Sequence, residues 1–343
     1  MRFIGGKSNL LNDIHNVITQ STVNVNTIID IFSGSGVVSS FFKENNYNVI
    51  GNDIMYFSYV LSRGTTALNY VPTFSNLGIT NPIDYLNNLD IADTNINLDE
   101  CFIYQNYSPH EDITRMYFQN DNAIKIDIIR ITIEKWFSSH LITEDEYFYL
   151  LSALISAVPY VSNIAGVYGA YLKHWDARTN NSLTLRVPNI TMTAGTATFY
   201  NNNCDIILPN IVGDLLYADP PYNSRQYLPN YHILETIARY DNPDIHGITG
   251  MRNYQNQRSD FCTVRGVENA FRRMIEHAKV RYVLISYNNE GLLSTERLSR
   301  ICQEYAMNDS FELHEIEYKR YNNAGTSPGG VTEQLYFFEK IRR

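Results

Sequence analysis

The sharpest alternation of apolar and polar positions lies in VNTIIDIFSGSGVVSSFFKENNYNVIGNDI, residues 25–54. Thr27–Phe32 is an apolar, β-branched run and predicts a strand. SGSG (33–36) is a turn. The stretch after it places Val37, Val38, Phe41 and Phe42 on one helical face and exits at Asn45–Asn46. YNVIGND (47–53) predicts a second strand ending at Asp53. Strand, glycine turn, helix and strand make a βαβ unit, so a parallel sheet is expected.

The middle of the chain follows a different period. AIKIDIIRITIEKWF (123–137) fits both strand alternation (Ile124, Ile126, Ile128) and helical spacing. Helix is preferred because its polar residues gather on a second face. TEDEYFYLLSALISAV (143–158) is a firmer helix, with Thr143 as cap, Glu146 three residues on and an acidic first turn. Residues 163–178 mix glycines, aromatics and basic residues and read as loop and helix fragments.

After about residue 195 the strand pattern returns. GDLLYADPPY (213–222) and RYVLISYNN (281–289) each contain a strand. FELHEIEYKRY and EQLYFFEKI alternate and predict a closing antiparallel hairpin around the turn-rich NNAGTSPGG. The expected architecture is an α/β core built from 1–75 and 196–343. Its sheet is mostly parallel with an antiparallel closing pair, and a mainly helical domain is inserted at 76–195.

Composition narrows the class. Over 343 residues, 44% hydrophobic and 18% charged content are those of a globular chain. The wealth of Tyr, Asn and Ile fits an AT-rich coding sequence and is assigned no function. No apolar run reaches the roughly 18–20 residues of a membrane span, and MRFIGGKSNLLNDI does not read as a signal peptide. Cys101, Cys204, Cys262 and Cys302 show no paired spacing, which suggests reduced thiols in a cytoplasmic protein and no metal site. The net charge of −9 argues against a nucleic-acid partner on the simplest count. The charge is uneven, however. No Lys or Arg falls between Arg63 and Arg115, whereas 252–281 holds Arg252, Arg258, Arg265, Arg272, Arg273, Lys279 and Arg281 against three acids. Either block could be a solvated face; together they suggest a polar molecule with one basic side.

Two motifs carry chemistry. In DIFSGSG (30–36) the glycines after the first strand let a ligand approach the backbone at a helix N-terminus. The acid closing the second strand, Asp53, suits a ribose diol. Ser39 stands where a dinucleotide fold has its third glycine, and Asp30 is a poor neighbour for phosphate. The spacing therefore favours a nucleoside without phosphates, such as S-adenosylmethionine. DPPY (219–222) follows a strand. Asp219 and the carbonyl of Pro220 can accept the two N–H groups of an exocyclic amine and free its lone pair. Pro220 and Pro221 stiffen that carbonyl, and the Tyr222 ring can stack on a base. Asp219 need not be a strong base, since the amine can lose its proton after methylation. A base in a duplex must leave the stack to reach such a site.

This set resembles the Dam-like, alpha-class N6-adenine DNA methyltransferases of bacterial restriction–modification systems. DPPY matches the family's [DNS]-P-P-[YFW] signature, DIFSGSG its D-x-F-x-G-x-G, and FIGGK (3–7) its aromatic-x-G-x-K, in the alpha-class order. Ser33 and the valines at 37–38 depart from a perfect copy of the glycine loop. The resemblance implies a Rossmann-like S-adenosylmethionine-dependent methyltransferase sheet, double-stranded DNA as partner, and an insertion that recognises the target; a cognate restriction endonuclease is a further expected partner. It implies that Phe3 and Lys7 line the cofactor and catalytic pocket, together with Asp30, Phe32, Ser33, Gly34 and Gly36. Asp53 would take the cofactor ribose and Asp205 of NCDI the adenine amine, with Ile206 packed on that ring. Arg225, Gln226, Lys173, His174, Arg178, Arg186, Lys319 and Arg320 are candidate DNA contacts, and Ser286, Tyr287 and Asn288 candidate walls of the base pocket. The open alternatives are methylation of cytosine N4, of RNA adenine or of a protein glutamine, and a non-catalytic DNA-binding subunit. A nucleotide-dependent oxidoreductase is disfavoured, because DPPY has no role in hydride transfer.

Overall fold

A computed structural model describes residues 6–318 and 331–341. Phe3, Lys319 and Arg320 lie outside the described residues. The contacts divide the chain into two units. One holds Lys7–Ile54, Thr193–Gln226 and the chain from Gln257 onward. The other holds Gly6, Met55–Met192 and Tyr227–Asn256.

The first unit is a seven-stranded sheet. Its strands are β1 (Thr27–Asp30), β2 (Asn48–Asn52), β3 (Ala197–Tyr200), β4 (Leu215–Ala218), β7 (Tyr282–Asn288), β8 (Glu312–Tyr318) and β9 (Val331–Glu339), in the order β3-β2-β1-β4-β7-β9-β8. β1 to β4 and β7 run parallel, while β9 is antiparallel to both β7 and β8, as the terminal alternation predicted. This is the expected Rossmann-like methyltransferase architecture. Strand order reverses between β1 and β4, the place where open α/β sheets bind ligands.

Period-two alternation sorts the strand residues to the two faces. Ile28, Leu215, Tyr217, Leu284, Leu335 and Phe337 pack with α1 (Leu11–Ser21) and α2 (Val37–Glu44). Ile29, Leu216, Val283, Ile285 and Phe338 face α8 (Cys204–Ile207), α10 (Val267–His277) and α11 (Thr295–Tyr305). Both faces are covered, so the central strands read as continuous apolar runs.

The second unit is mainly helical: α3 (Tyr56–Gly64), α4 (Pro82–Asn88), α5 (Phe102–Tyr107), α6 (Asn120–Ser138), α7 (Glu144–Ala157) and α9 (Leu228–Arg239), with a short ribbon of β5 (Ile245–His246) and β6 (Met251–Arg252). The ambiguous isoleucine run is helical. In α6, Ile126, Ile129, Ile133 and Trp136 are buried at three- to four-residue spacing. Thr143 and Glu146 form the reciprocal cap anticipated at the start of α7. Within 163–178 the chain is irregular as far as a 3-10 turn at Ala177–Asn180.

This unit is wider than the 76–195 segment, because α3 and α9 pack with α7. A Cβ on Gly64 would strike the Phe148 carbonyl and the Ser152 side chain of α7, so glycine permits that approach. The buried Glu235 carboxylate of α9 accepts the Tyr56 and Phe57 amides at 3.1 and 3.0 Å and caps α3. All four cysteines are buried free thiols. Among the described residues, no helix is long and apolar enough to cross a membrane.

Candidate active site

The two motifs emerge side by side from the sheet. Asp30 of β1 pairs with Tyr217 of β4, so DIFSGSG and DPPY leave adjacent strands at the same edge. The Ile31 amide still donates to the Tyr217 carbonyl at 3.2 Å. The chain then turns at Ser33, whose amide donates to the Asn52 carbonyl at 2.9 Å. Gly34 and Gly36 have φ of 50° and 76°, left-handed values that tax any residue with a Cβ. Gly36 leads directly into α2.

Asp53 stands past the end of β2, 7% exposed, and accepts the Gly34 amide at 2.8 Å. The carboxylate thereby fixes the turn. Asn52, which the sequence reading passed over, ties the same corner together. Its side chain accepts from the Asn202 amide at 3.1 Å and donates to the Asn202 carbonyl at 3.0 Å.

Beside this corner lies a cleft. Phe32, Asn52 and Ile54 line it from one side, Asp205 and Phe261 from others. Asp205 opens α8, and Arg273 of α10 grips its Oδ2 at 3.0 Å. Its Oδ1 is buried and has no hydrogen-bond partner among the described residues. The Phe32 and Phe261 rings meet edge to face at 5.2 Å. Two aromatic rings and one buried acceptor left over fit a purine carrying an amine. Ile206 is 59% exposed and is not among the residues of this cleft.

At the end of β4, Asp219 meets Lys7, which lies four residues before the start of α1. Lys7 Nζ is 3.2 Å from Asp219 Oδ1 and 3.1 Å from Glu333 Oε2 on β9. The lysine is 3% exposed. Burial works against its charge, but the two carboxylates outweigh this and hold its pKa above the ordinary lysine range. Burial pushes the Asp219 carboxyl up to about 6; Lys7 pulls it down and Glu333 adds to the rise. Asp30 is more deeply buried and is pushed up to about 7, despite a 2.6 Å hydrogen bond from Ser39. Pro220 is buried, and the Tyr222 carbonyl accepts the Leu292 amide at 2.9 Å, which anchors the loop. The arrangement can accept N–H groups at Asp219, with a cation beside it to fix the carboxylate.

The remaining candidates divide. Gln226 exchanges two hydrogen bonds with the Ser259 backbone, at 3.0 and 2.8 Å, so its amide braces the loop. Arg225 is exposed. Lys173 and His174 are exposed in the helical unit, where Arg178 forms a fork on Asp176 and Arg186 lies over the Tyr160 ring. Ser286 and Asn288 are buried, and Tyr287 packs edge to face on Phe271 in the core. Much of the basic block is spent internally: Arg252 on Asp241, Arg272 on Glu268 and Glu304, Arg273 on Asp205 and Asp260, Arg281 on Glu339. Glu333 and Arg273 were missed because each gains its meaning only from a partner distant in sequence.

Comparison with known proteins agrees with this geometry. Residues 3–301 match the family model described as D12 class N6 adenine-specific DNA methyltransferase. The chain is 41% identical over 342 residues to the Type II methyltransferase M.FokI of Planomicrobium okeanokoites, covering 98% of this chain and 52% of that protein. It is 38% identical over 342 residues to the modification methylase StsI of Streptococcus sanguinis, covering 98% and 51%. The chain thus spans about half the length of these two relatives. The Type II methyltransferase M.NlaIII of Neisseria lactamica is 35% identical over 349 residues, with 99% of both chains covered.

Proposed function

The chain belongs to the D12 class N6 adenine-specific DNA methyltransferase family, and from that premise we propose that it methylates the N6 amine of an adenine everted from double-stranded DNA, with S-adenosylmethionine as donor. The observation that carries this reading is the Asp219 carboxylate, clamped by Lys7 at the end of β4 beside the glycine turn.

When bound, the donor supplies a methyl group on a cationic sulfur, and the C–S bonding pair stays with sulfur as the N–C bond forms. The chain's residues do the rest. The leftover Asp205 oxygen takes the donor's adenine amine between the walls of Phe32 and Phe261. Asp53, fixed against Gly34, takes the ribose hydroxyls. Asp219 and the Pro220 carbonyl accept the two N–H groups of the target amine, and Tyr222 stacks on its ring. The nitrogen lone pair becomes the new bond, and the departing N–H proton passes to Asp219, whose raised proton affinity suits it to receive one. Positioning and fixed dipoles account for the acceleration.

The helical unit is assigned the recognition of the target sequence, and the marking of host DNA in a restriction–modification system is the accompanying role. Relatives named Type II methyltransferase and modification methylase support that role. A chain of net charge −9 must hold DNA through local basic groups, so affinity should fall steeply with salt. The deciding experiment incubates the chain with methyl-labelled S-adenosylmethionine and double-stranded DNA, then digests the DNA to nucleosides for mass spectrometry. Label in N6-methyldeoxyadenosine is expected; label only in N4-methylcytosine, RNA or protein would refute the reading.

A further inference from the structure

Glu333 lies in none of the motifs that carry the family resemblance, yet it completes the charge cluster. Alternation along β9 puts it on the face of Leu335 and Phe337, the face on which α1 packs. Lys7 enters from the start of that helix, with its carbonyl accepting the Leu10 amide at 2.8 Å. The Lys7 ammonium donates to Glu333 at 3.1 Å and touches Asp219 at 3.2 Å. The Glu333 side chain is 13% exposed, and carboxylates are rarely so enclosed unless paired. Both carboxylates lie about 3 Å from one nitrogen, so they are no more than roughly 6 Å apart.

A lone Lys7–Asp219 pair would be electrically neutral. The ammonium would claim much of the carboxylate's capacity to accept a further N–H group. A second carboxylate on the same ammonium offsets that claim and leaves the cluster with one negative charge in excess. We infer that Glu333 is a positioning residue: it shares the Lys7 ammonium with Asp219, so that Asp219 is held in place yet keeps its strength as an acceptor for the target amine. This inference rests on the methyl transfer proposed above. Among the described residues, Asp219 also raises the pKa of the nearby Asp30 of β1 and Tyr217 of β4, and neither is an ion-pair partner of Lys7.

The test compares the whole chain with E333Q and E333D. Glutamine keeps an acceptor for Lys7 but removes the charge. In E333Q, kcat for methyl transfer falls about tenfold, while KM for DNA and for the donor stays within about threefold. The acidic limb of the kcat profile moves about one unit toward lower pH, because Lys7 then acts on Asp219 unopposed. E333D, which retains the charge, leaves the limb near its original position. Thermal melting within a few degrees of the parent shows that E333Q is folded. An unchanged kcat overturns the inference, and so does a loss that is uniform across pH. Titration of the Asp219 carboxyl by carbon-13 NMR gives a readout that needs no turnover: a fall in its pKa in E333Q supports the shared ammonium, and no fall overturns it. A parent chain that labels no DNA adenine would sink the proposed function, while the carboxyl titration would still decide the role of Glu333.

Discussion

Arg273 holds one oxygen of Asp205 at 3.0 Å and leaves the other buried in the cleft beside Phe32, without a hydrogen-bond partner among the described residues. The guanidinium aims the carboxylate and leaves the spare oxygen able to accept from a donor. A hydrogen bond to a charged group contributes about 1.5–3 kcal/mol. Asp205→Ala should therefore weaken binding of S-adenosylhomocysteine by about 10- to 100-fold in calorimetry. Turnover at saturating donor should change little, because Asp205 touches no reacting atom. A variant with unaltered affinity would remove Asp205 from the cofactor site.

Asp219 should behave oppositely. On the proposed function, Asp219→Ala removes the acceptor for the target amine and should lower kcat by about 10²–10³, with the affinity for S-adenosylhomocysteine nearly unchanged. Its pH dependence has a definite sign. The working form is the carboxylate, and burial raises its pKa to about 6. Activity should hold above that value and fall as pH drops through it. A kcat profile flat down to pH 5 would show that Asp219 does not act as an ionised acceptor.

The placing of Asp53 and Asp219 was legible because both sit at strand ends, and strand ends are read from apolar runs. β1 and β4 are buried on both faces, so their runs are continuous and their ends abrupt. DIFSGSG and DPPY follow those ends, and parallel pairing of the two strands brings them together. Glu333 and Arg273 were not legible. Each lies within a regular element whose pattern explains it as a polar position of an amphipathic strand or helix. Only the crossing of β9 with the start of α1, and of α10 with α8, gives them partners. The extent of the helical unit was hidden for a similar reason. α3 and α9 have ordinary apolar faces; what seats α3 on α7 is the glycine at 64, and what joins α9 to α3 is the buried Glu235, two single residues without local signal.

Arg225 and Gln226 are neighbours with different expected roles. Gln226 spends its amide on the Ser259 backbone, whereas the Arg225 side chain is exposed. Arg225→Ala should weaken DNA binding and reduce the slope of log affinity against log salt by about one, with no change in melting temperature. Gln226→Ala should instead lower the melting temperature, because it leaves part-buried backbone groups of Ser259 without their partner, a cost of about 1 kcal/mol. DNA titrations at several salt concentrations and thermal melts separate the two. An unchanged salt slope in the arginine variant would take Arg225 off the phosphate backbone.

Asp30 couples the site to stability. It is 1% exposed, accepts from Ser39, and burial raises its pKa to about 7 from an unfolded value near 3.8. Between those values the folded chain keeps the proton and the unfolded chain releases it. The group therefore favours folding at low pH, and that contribution is lost as pH rises from about 4 through about 7, by up to about 1.4 kcal/mol per unit. Asp30→Asn retains an acceptor for Ser39 and does not titrate, so it should be spared that loss. The melting temperature of the variant relative to the parent should rise between pH 5 and pH 7. Parallel pH dependence in the two proteins would mean that Asp30 is ionised throughout, and that the charge beneath the glycine turn is already compensated in the folded state.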